Sequence, residues 1–99
     1  MLFWTVVEYY RGNGFEEWLA AQGESNAAIG THAGISDTAL LLAVNPQLVR
    51  KNKLANAGQP SETGVTGDPT RASLAYGKKG LDLIVEITVD RIRKSTAKN

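Results

Sequence analysis

The chain has 99 residues, 42% hydrophobic and 21% charged, which is typical of a single small globular domain covering residues 1–99. Its 11 basic and 10 acidic residues leave a net charge of +1, which argues against nucleic-acid binding because that function usually needs a clearly basic face. The chain contains no cysteine, which excludes disulfides, cysteine metal ligands and a cysteine nucleophile.

The sequence also indicates the cellular location of the protein. No apolar run reaches about 18 residues, so we expect no membrane-spanning helix. The first residues, Met-Leu-Phe-Trp-Thr-Val-Val-Glu, lack the basic head and the cleavage site of a signal peptide. Together with the absence of cysteine, these features predict a cytoplasmic protein.

The first element predicted is a β-strand over Leu2–Tyr10. This segment is rich in aromatic and β-branched residues and almost continuously apolar, as in a strand covered on both faces. Few other segments could supply strands to pair with it. Apolar residues then recur at helical spacing over Phe15–Ala21, with Asn13 as a candidate cap. Glu16 and Glu17 are adjacent and would point about 100° apart on this helix, which favours a solvated face over a metal or acid–base pair.

The only histidine, His32, lies between Gly30 and Gly34, just before the most apolar run of the chain. A titratable imidazole in a glycine turn at the start of a helix is a candidate for chemistry. A structural histidine satisfied by one hydrogen bond is the more common alternative. Either Ser36 or Thr31 could cap the helix that follows.

The helix after His32 places Asp37 in its first turn and continues through Ala39–Val44, which is apolar on all sides and predicts a buried helix. Asn45-Pro46 ends it, and we expect Leu48 and Val49 to face inward. The next residues form a basic cluster: Arg50, Lys51 and Lys53. Such a cluster usually complements a helix dipole and aids solubility, with phosphate binding as the alternative.

The last part of the chain predicts one loop and one long helix. Residues 55–70 lack periodicity and contain several glycines and prolines, with Asp68 or Thr70 as a helix cap. From Ala72 onward, apolar residues share one helical face, and Gly77 and Gly80 indicate close packing on another backbone. The residues of this face are Leu74, Leu81, Ile84, Val85 and Ile92. A strand over Leu83–Val89 is the alternative.

Two segments resemble the creatininase (creatinine amidohydrolase) family. The first, His32–Arg50, reads as the family's His-Ala-Gly turn, an acidic-Thr helix start, an apolar helix and a Pro-x-Leu-Val end. The second, Gly64–Ser73, is similar to the family's Gly-Val-x-Gly-Asp-Pro-x-x-Ala-Ser loop, and the Lys-Gly that follows in the family is Lys79-Gly80 here. Order and spacing agree from about Gly30 to Arg93.

The resemblance implies an α/β fold, as a partial α/β/α layer with one N-terminal strand and about three helices. It implies hydrolysis of cyclic or linear amides at a two-metal site, with zinc or manganese generating hydroxide and polarising the carbonyl. His32 would donate or shuttle the proton, and Asp37, near it, would be the second catalytic residue. Asp37 is shorter than the glutamate common in the family, and Thr31 stands where some members carry a glutamate.

The family's metal ligands lie in a Glu-x-His motif, a following Asp and an Asn-Gly-His segment, and none of these occurs here. The sequence therefore predicts the C-terminal half of a creatininase-like protein, with no metal in this chain alone and no activity until another chain completes the site. A small amide is then the expected substrate. Apolar surface left uncovered predicts a homo-oligomer or a complementing chain. The alternative is a non-catalytic oligomerisation or interaction module derived from the family.

Overall fold

The computed structural model describes residues 5–56 and 63–97, which fold mainly into helices. The α-helices are α1 (Val7–Tyr10), α2 (Phe15–Ala21), α3 (Asn26–Ile29), α4 (Ile35–Val44) and α5 (Leu74–Thr96), and short 3₁₀ helices cover Pro46–Leu48, Lys51–Asn56 and Pro69–Arg71. The described residues contain no strand, only one isolated antiparallel bridge between His32 and Thr66. The helix-rich character is as expected, whereas the α/β layering is not confirmed.

The N-terminal strand is the clearest correction. Residues 1–4 lie outside the described part, and Val7–Tyr10 is helical, with the Arg11 N–H donating to the carbonyl of Val7 at 2.9 Å. A strand needs a neighbouring strand to pair its backbone groups, and the described residues offer none. The segment instead lies against α5, where Arg91 Nε is 4.0 Å from a carboxylate oxygen of Glu8, while Tyr10 is 84% exposed.

Helices α4 and α5 pack against each other at the centre of the fold. Gly77 of α5 faces the backbone of Ala39 on α4, so that a β-carbon at residue 77 would lie 2.7 Å from the Ala39 carbonyl carbon. Gly80 faces the ring of Phe15 on α2. The prediction that these glycines mark close packing is confirmed. Gly77 packs on a backbone, as predicted, whereas Gly80 packs on a side chain.

The hydrophobic core lies where α2, α3 and α4 meet α5. Its buried members are Phe15, Leu19, Ala28, Ile29, Ile35 and Ala39. Phe15 and Leu19 of α2 are four residues apart, as are Ile35 and Ala39 of α4, which turns each pair toward one side of its helix. Ala28 and Ile29 are adjacent residues of the short α3.

Helix α5 confirms the predicted long helix, and the strand alternative over Leu83–Val89 is wrong. Ser73 caps it, because its hydroxyl accepts the N–H of Tyr76 at 3.1 Å. Its buried face runs through Gly77, Gly80 and Ile84. Leu74, Val85 and Ile92, predicted to share one face with Ile84, lie instead on a second face. Together with Val89, they are 38–57% exposed.

Helix α4 is buried on one side only, which corrects the expectation of burial all round. Ile35, Thr38 and Ala39 are buried, whereas Leu41 is 37% and Val44 65% exposed. Leu48 is also exposed rather than facing inward. The reason is that α4 packs on α3 and α5 along one stripe only. These neighbours therefore leave part of its apolar surface uncovered.

Among the predicted caps, Asp68 takes the cap position and Asn13 lies next to it. Asn13 Oδ1 accepts the N–H of Phe15 at 3.0 Å, one residue ahead of the cap position, Gly14. Asp68 Oδ1 accepts the N–H of Thr70 at 3.1 Å and begins the 3₁₀ turn Pro69–Arg71. No described helix is long and apolar enough to cross a membrane.

Candidate functional site around His32

The two motif segments meet at His32. The backbone N–H groups of Thr31 and His32 donate to the carbonyl of Thr66 at 2.8 and 3.3 Å, and the Thr66 N–H donates to the carbonyl of His32 at 2.8 Å. One step along, the Asp68 N–H donates to the carbonyl of Ala28 at 2.8 Å. Main-chain hydrogen bonds therefore hold the histidine turn against the Gly-Val-Thr-Gly-Asp loop.

Three glycines allow this approach. A β-carbon on Gly67 would lie 2.6 Å from the α-carbon of Gly34 and 3.0 Å from the carbonyl oxygen of Ala28. A β-carbon on Gly30 would overlap the Thr66 carbonyl, and Gly30 and Gly67 also have positive φ values of 68° and 147°. Glycine meets both demands, because it has no β-carbon and tolerates positive φ.

His32 itself is exposed, at the start of a strained turn. The next residue, Ala33, has φ 54°, the only positive φ of a non-glycine among the described residues. An alanine in this region costs about 1 kcal/mol, so the surrounding contacts must hold it there. The imidazole can reach a solute from solvent without any rearrangement of the core.

Asp37 supplies one of those contacts. Its Oδ2 accepts the N–H of Ala33 at 3.1 Å, and the hydroxyl of Thr38 donates to the Ala33 carbonyl at 3.2 Å. Both backbone groups of Ala33 are thereby tied to the first turn of α4, in the manner of a capping box. The cap residue is Gly34, so neither predicted cap, Ser36 nor Thr31, has that role.

An open cleft of about 220 Å³ lies beside the turn, with Thr31 and Asp37 in its wall and Glu16 and Glu17 of α2 opposite. The two glutamates are exposed, as expected for a solvated face. The lining is polar and mainly acidic, with Arg11 as its basic member, and His32 is not part of it.

The family assignment rests on a match over nearly the whole chain. The model of the creatininase family, described as creatinine amidohydrolase, matches residues 5–92. The chain belongs to the creatininase family. The comparisons with curated proteins and with solved structures gave no match.

The metal centre of the creatininase family does not fit the described residues. Among residues 5–56 and 63–97, no three His, Cys, Asp or Glu side chains are grouped so that they could hold a metal ion. A zinc or manganese site needs several such donors within bonding distance. The carboxylates at the cleft therefore do not amount to a metal site.

A partly buried ion pair behind the second creatininase motif is a feature that sequence reasoning missed. Glu24 is only 6% exposed, and its carboxylate accepts hydrogen bonds from Arg71 Nε, from Arg71 Nη2 at 3.1 Å and from the Tyr76 hydroxyl at 3.0 Å. The Trp18 ring meets Tyr76 edge-on at 5.6 Å, and Lys79 Nζ lies 5.9 Å from the Trp18 ring centre. This cluster ties the end of the Gly-Asp-Pro loop to the α2–α3 turn.

The cluster shifts the protonation of its members. The hydrogen bonds from Arg71 hold the pKa of Glu24 below its usual value of 4.5, against the opposing effect of burial. The same carboxylate raises the pKa of Arg71 and, by accepting its hydrogen bond, the pKa of Tyr76. A lone glutamate in a loop gives no sequence signal for this, because its partners lie 47 and 52 residues away.

Proposed function

We propose that this creatininase-family chain takes part in amide hydrolysis, with His32 as the residue that donates or shuttles a proton. In such a reaction water adds to the carbonyl carbon, the carbon–nitrogen bond breaks, and the leaving nitrogen takes up a proton. An exposed imidazole suits that transfer, because histidine is the side chain that most often serves as a general acid or base. The observation that carries the proposal is the backbone bridge that holds the two family motifs together at His32.

Asp37 has a different role in this proposal. Its carboxylate is engaged by the Ala33 N–H, so it would act as a positioning residue that keeps the turn carrying His32 in place. The shorter side chain suits this role, since an aspartate in the first turn of a helix reaches back to the preceding backbone.

The rest of the catalytic site is proposed to come from elsewhere. The sequence has a single histidine, and the described residues hold no group of metal ligands. We therefore infer that the chain, as one domain, corresponds to the C-terminal half of the family, and that a zinc- or manganese-binding portion on another chain completes the site. Alone, it would be inactive on small cyclic or linear amides.

A second function is favoured by the exposed face of α5. Leu74, Val85, Val89 and Ile92 share that face, and exposed apolar residues grouped in this way often mark an interface. In this alternative the chain is an oligomerisation or interaction module, and His32 has no catalytic task.

Complementation separates the two functions. The chain is mixed with a creatininase-family fragment that carries the Glu-x-His and Asn-Gly-His segments, together with zinc or manganese, and hydrolysis of creatinine and other small amides is followed by mass spectrometry. The first proposal expects turnover by the mixture, none by either part, and loss of turnover in His32→Ala. Turnover unchanged in His32→Ala would contradict the role of His32.

The same preparation tests assembly. The module alternative expects association of the isolated chain at micromolar concentration in size-exclusion chromatography, reduced by Val85→Asp. Lys94→Ala, which changes an exposed residue of the same helix, is the matched control. A monomeric wild-type chain would contradict the alternative.

A further inference from the structure

A groove next to the His32–Thr66 bridge carries a further inference. It has a volume of about 290 Å³, and its lining includes Ala33 and Val65. Ala33 follows His32 along the chain and Val65 precedes Thr66, so both lie next to the bridging pair. His32 does not line the groove, which is therefore distinct from the proposed catalytic side.

The floor of the groove is apolar. Leu41 of α4, Leu48 and Leu54 contribute to it, and Leu41 and Leu48 are both exposed. This is the part of the uniformly apolar helix, and of the segment after it, that the core does not cover. A volume of this size, at the lower end for ligand sites, suits a small molecule with an apolar body.

The rim of the groove is cationic. Arg50 and Lys53 line it, and the Lys53 N–H donates to the carbonyl of Arg50 at 2.9 Å. Residues three apart in a 3₁₀ turn lie on the same side, which brings both charges to one edge. Neither side chain forms an ion pair with a described residue, and no described carboxylate lines the groove.

From this combination we propose that the groove binds a small amphipathic carboxylate. The apolar body would lie on the leucines, and the carboxylate would be held by Arg50 and Lys53. A guanidinium presents a fork of donors that matches the two oxygens of a carboxylate. The basic cluster after α4 thereby gains a binding role, and its apolar neighbours favour a carboxylate with an alkyl body over inorganic phosphate.

The test uses octanoate and the full chain. Titration into ¹⁵N-labelled protein, followed by two-dimensional NMR, is expected to give saturable shifts at residues 33, 41, 48–54 and 65. Octylammonium, with the same body and the opposite charge, is expected not to bind. The double variant Arg50→Gln/Lys53→Gln should weaken octanoate binding by about tenfold, and Arg93→Gln/Lys94→Gln, which removes two basic residues from α5, should leave it unchanged.

Several results would overturn the proposal. These are an absence of saturable shifts, shifts centred on Val85 and Ile92 of α5, equal binding of octylammonium, and unchanged octanoate binding in Arg50→Gln/Lys53→Gln. Displacement of octanoate by an equal concentration of inorganic phosphate would show that the apolar floor contributes nothing. Leu48→Ser guards against misfolding as an explanation: Leu48 is 59% exposed, so the variant should fold normally and still bind octanoate more weakly.

Discussion

Gly77→Ala measures how tightly α4 and α5 are packed. In an isolated helix, alanine in place of glycine adds about 1 kcal/mol of stability. Here the new β-carbon would lie 2.7 Å from the carbonyl carbon of Ala39 and 2.9 Å from the β-carbon of Ala43. These neighbours belong to the body of α4, so the helices must separate.

The two effects oppose each other, and their sizes decide the sign. Overpacking a core costs up to about 3 kcal/mol, and contact with a backbone places this site at the upper end. After subtraction of about 1 kcal/mol for helix propensity, we expect Gly77→Ala to lose about 2 kcal/mol of unfolding free energy. For a domain of this size, that corresponds to a fall in Tm of about 8–16 °C.

The assay is urea unfolding at 25 °C, followed by circular dichroism at 222 nm. Glu86, an exposed residue in the middle of α5, provides the calibration: the difference between Glu86→Ala and Glu86→Gly reports helix propensity alone. Gly80→Ala should cost less than Gly77→Ala, because it meets the ring of Phe15 rather than a backbone. If Gly77→Ala is as stable as the wild type, the helices are not in backbone contact and our account of the core fails.

The remaining predictions concern the ion pair and the histidine turn. Protonation of Glu24 breaks its ion pair with Arg71. The contribution of this pair to stability is therefore complete above the ordinary glutamate pKa of 4.5 and is lost as pH falls through the lower folded-state pKa of Glu24. Urea titrations at acid pH should show that Glu24→Gln loses less unfolding free energy on acidification than the wild type. Asp37→Ala should cost about 1 kcal/mol through the lost bond to Ala33. Gly30→Ala should abolish hydrogen-exchange protection of the Thr31 and Thr66 amides.

A specific result would contradict each of these three predictions. If stability falls equally with acid pH in the wild type and in Glu24→Gln, the Glu24 carboxylate is not held ionised by its partners. Asp37→Asn keeps an acceptor and should be milder than Asp37→Ala, so equal losses would point to charge rather than to the backbone bond. Retained protection of the Thr31 amide in Gly30→Ala would mean that the turn can accept a β-carbon.

Sequence reasoning succeeded where the signal is local. Apolar spacing predicted α2 and α5, short polar side chains predicted the turns at Asn45 and Asp68, and the glycines of α5 predicted close packing. Each of these depends on residues within one or two turns of the chain. The creatininase motifs likewise lie in continuous segments, so the family could be recognised before any coordinates.

It failed where the outcome depends on distant neighbours. Val7–Tyr10 has the composition of a strand but no partner strand among the described residues, and it is helical. Leu41 and Val44 are apolar yet exposed, because burial depends on what packs against them. Glu24 is buried only through partners far along the chain. At the site, the role of Asp37 in holding Ala33 became visible only with the backbone in place, while the catalytic role of His32 stays a prediction.

The glycine contact between the two motif loops decides which nearby positions can be substituted. Gly30, Gly34 and Gly67 meet through main-chain atoms alone, while the side chains of Asp37 and Thr38 hold Ala33 in the same turn. Thr31 is exposed and joins this contact through its backbone N–H, so its side chain can be exchanged without loss of the hydrogen bond to Thr66. Gly30 and Gly67 cannot be exchanged in this way, because a β-carbon on either would collide with main-chain atoms of the opposite loop.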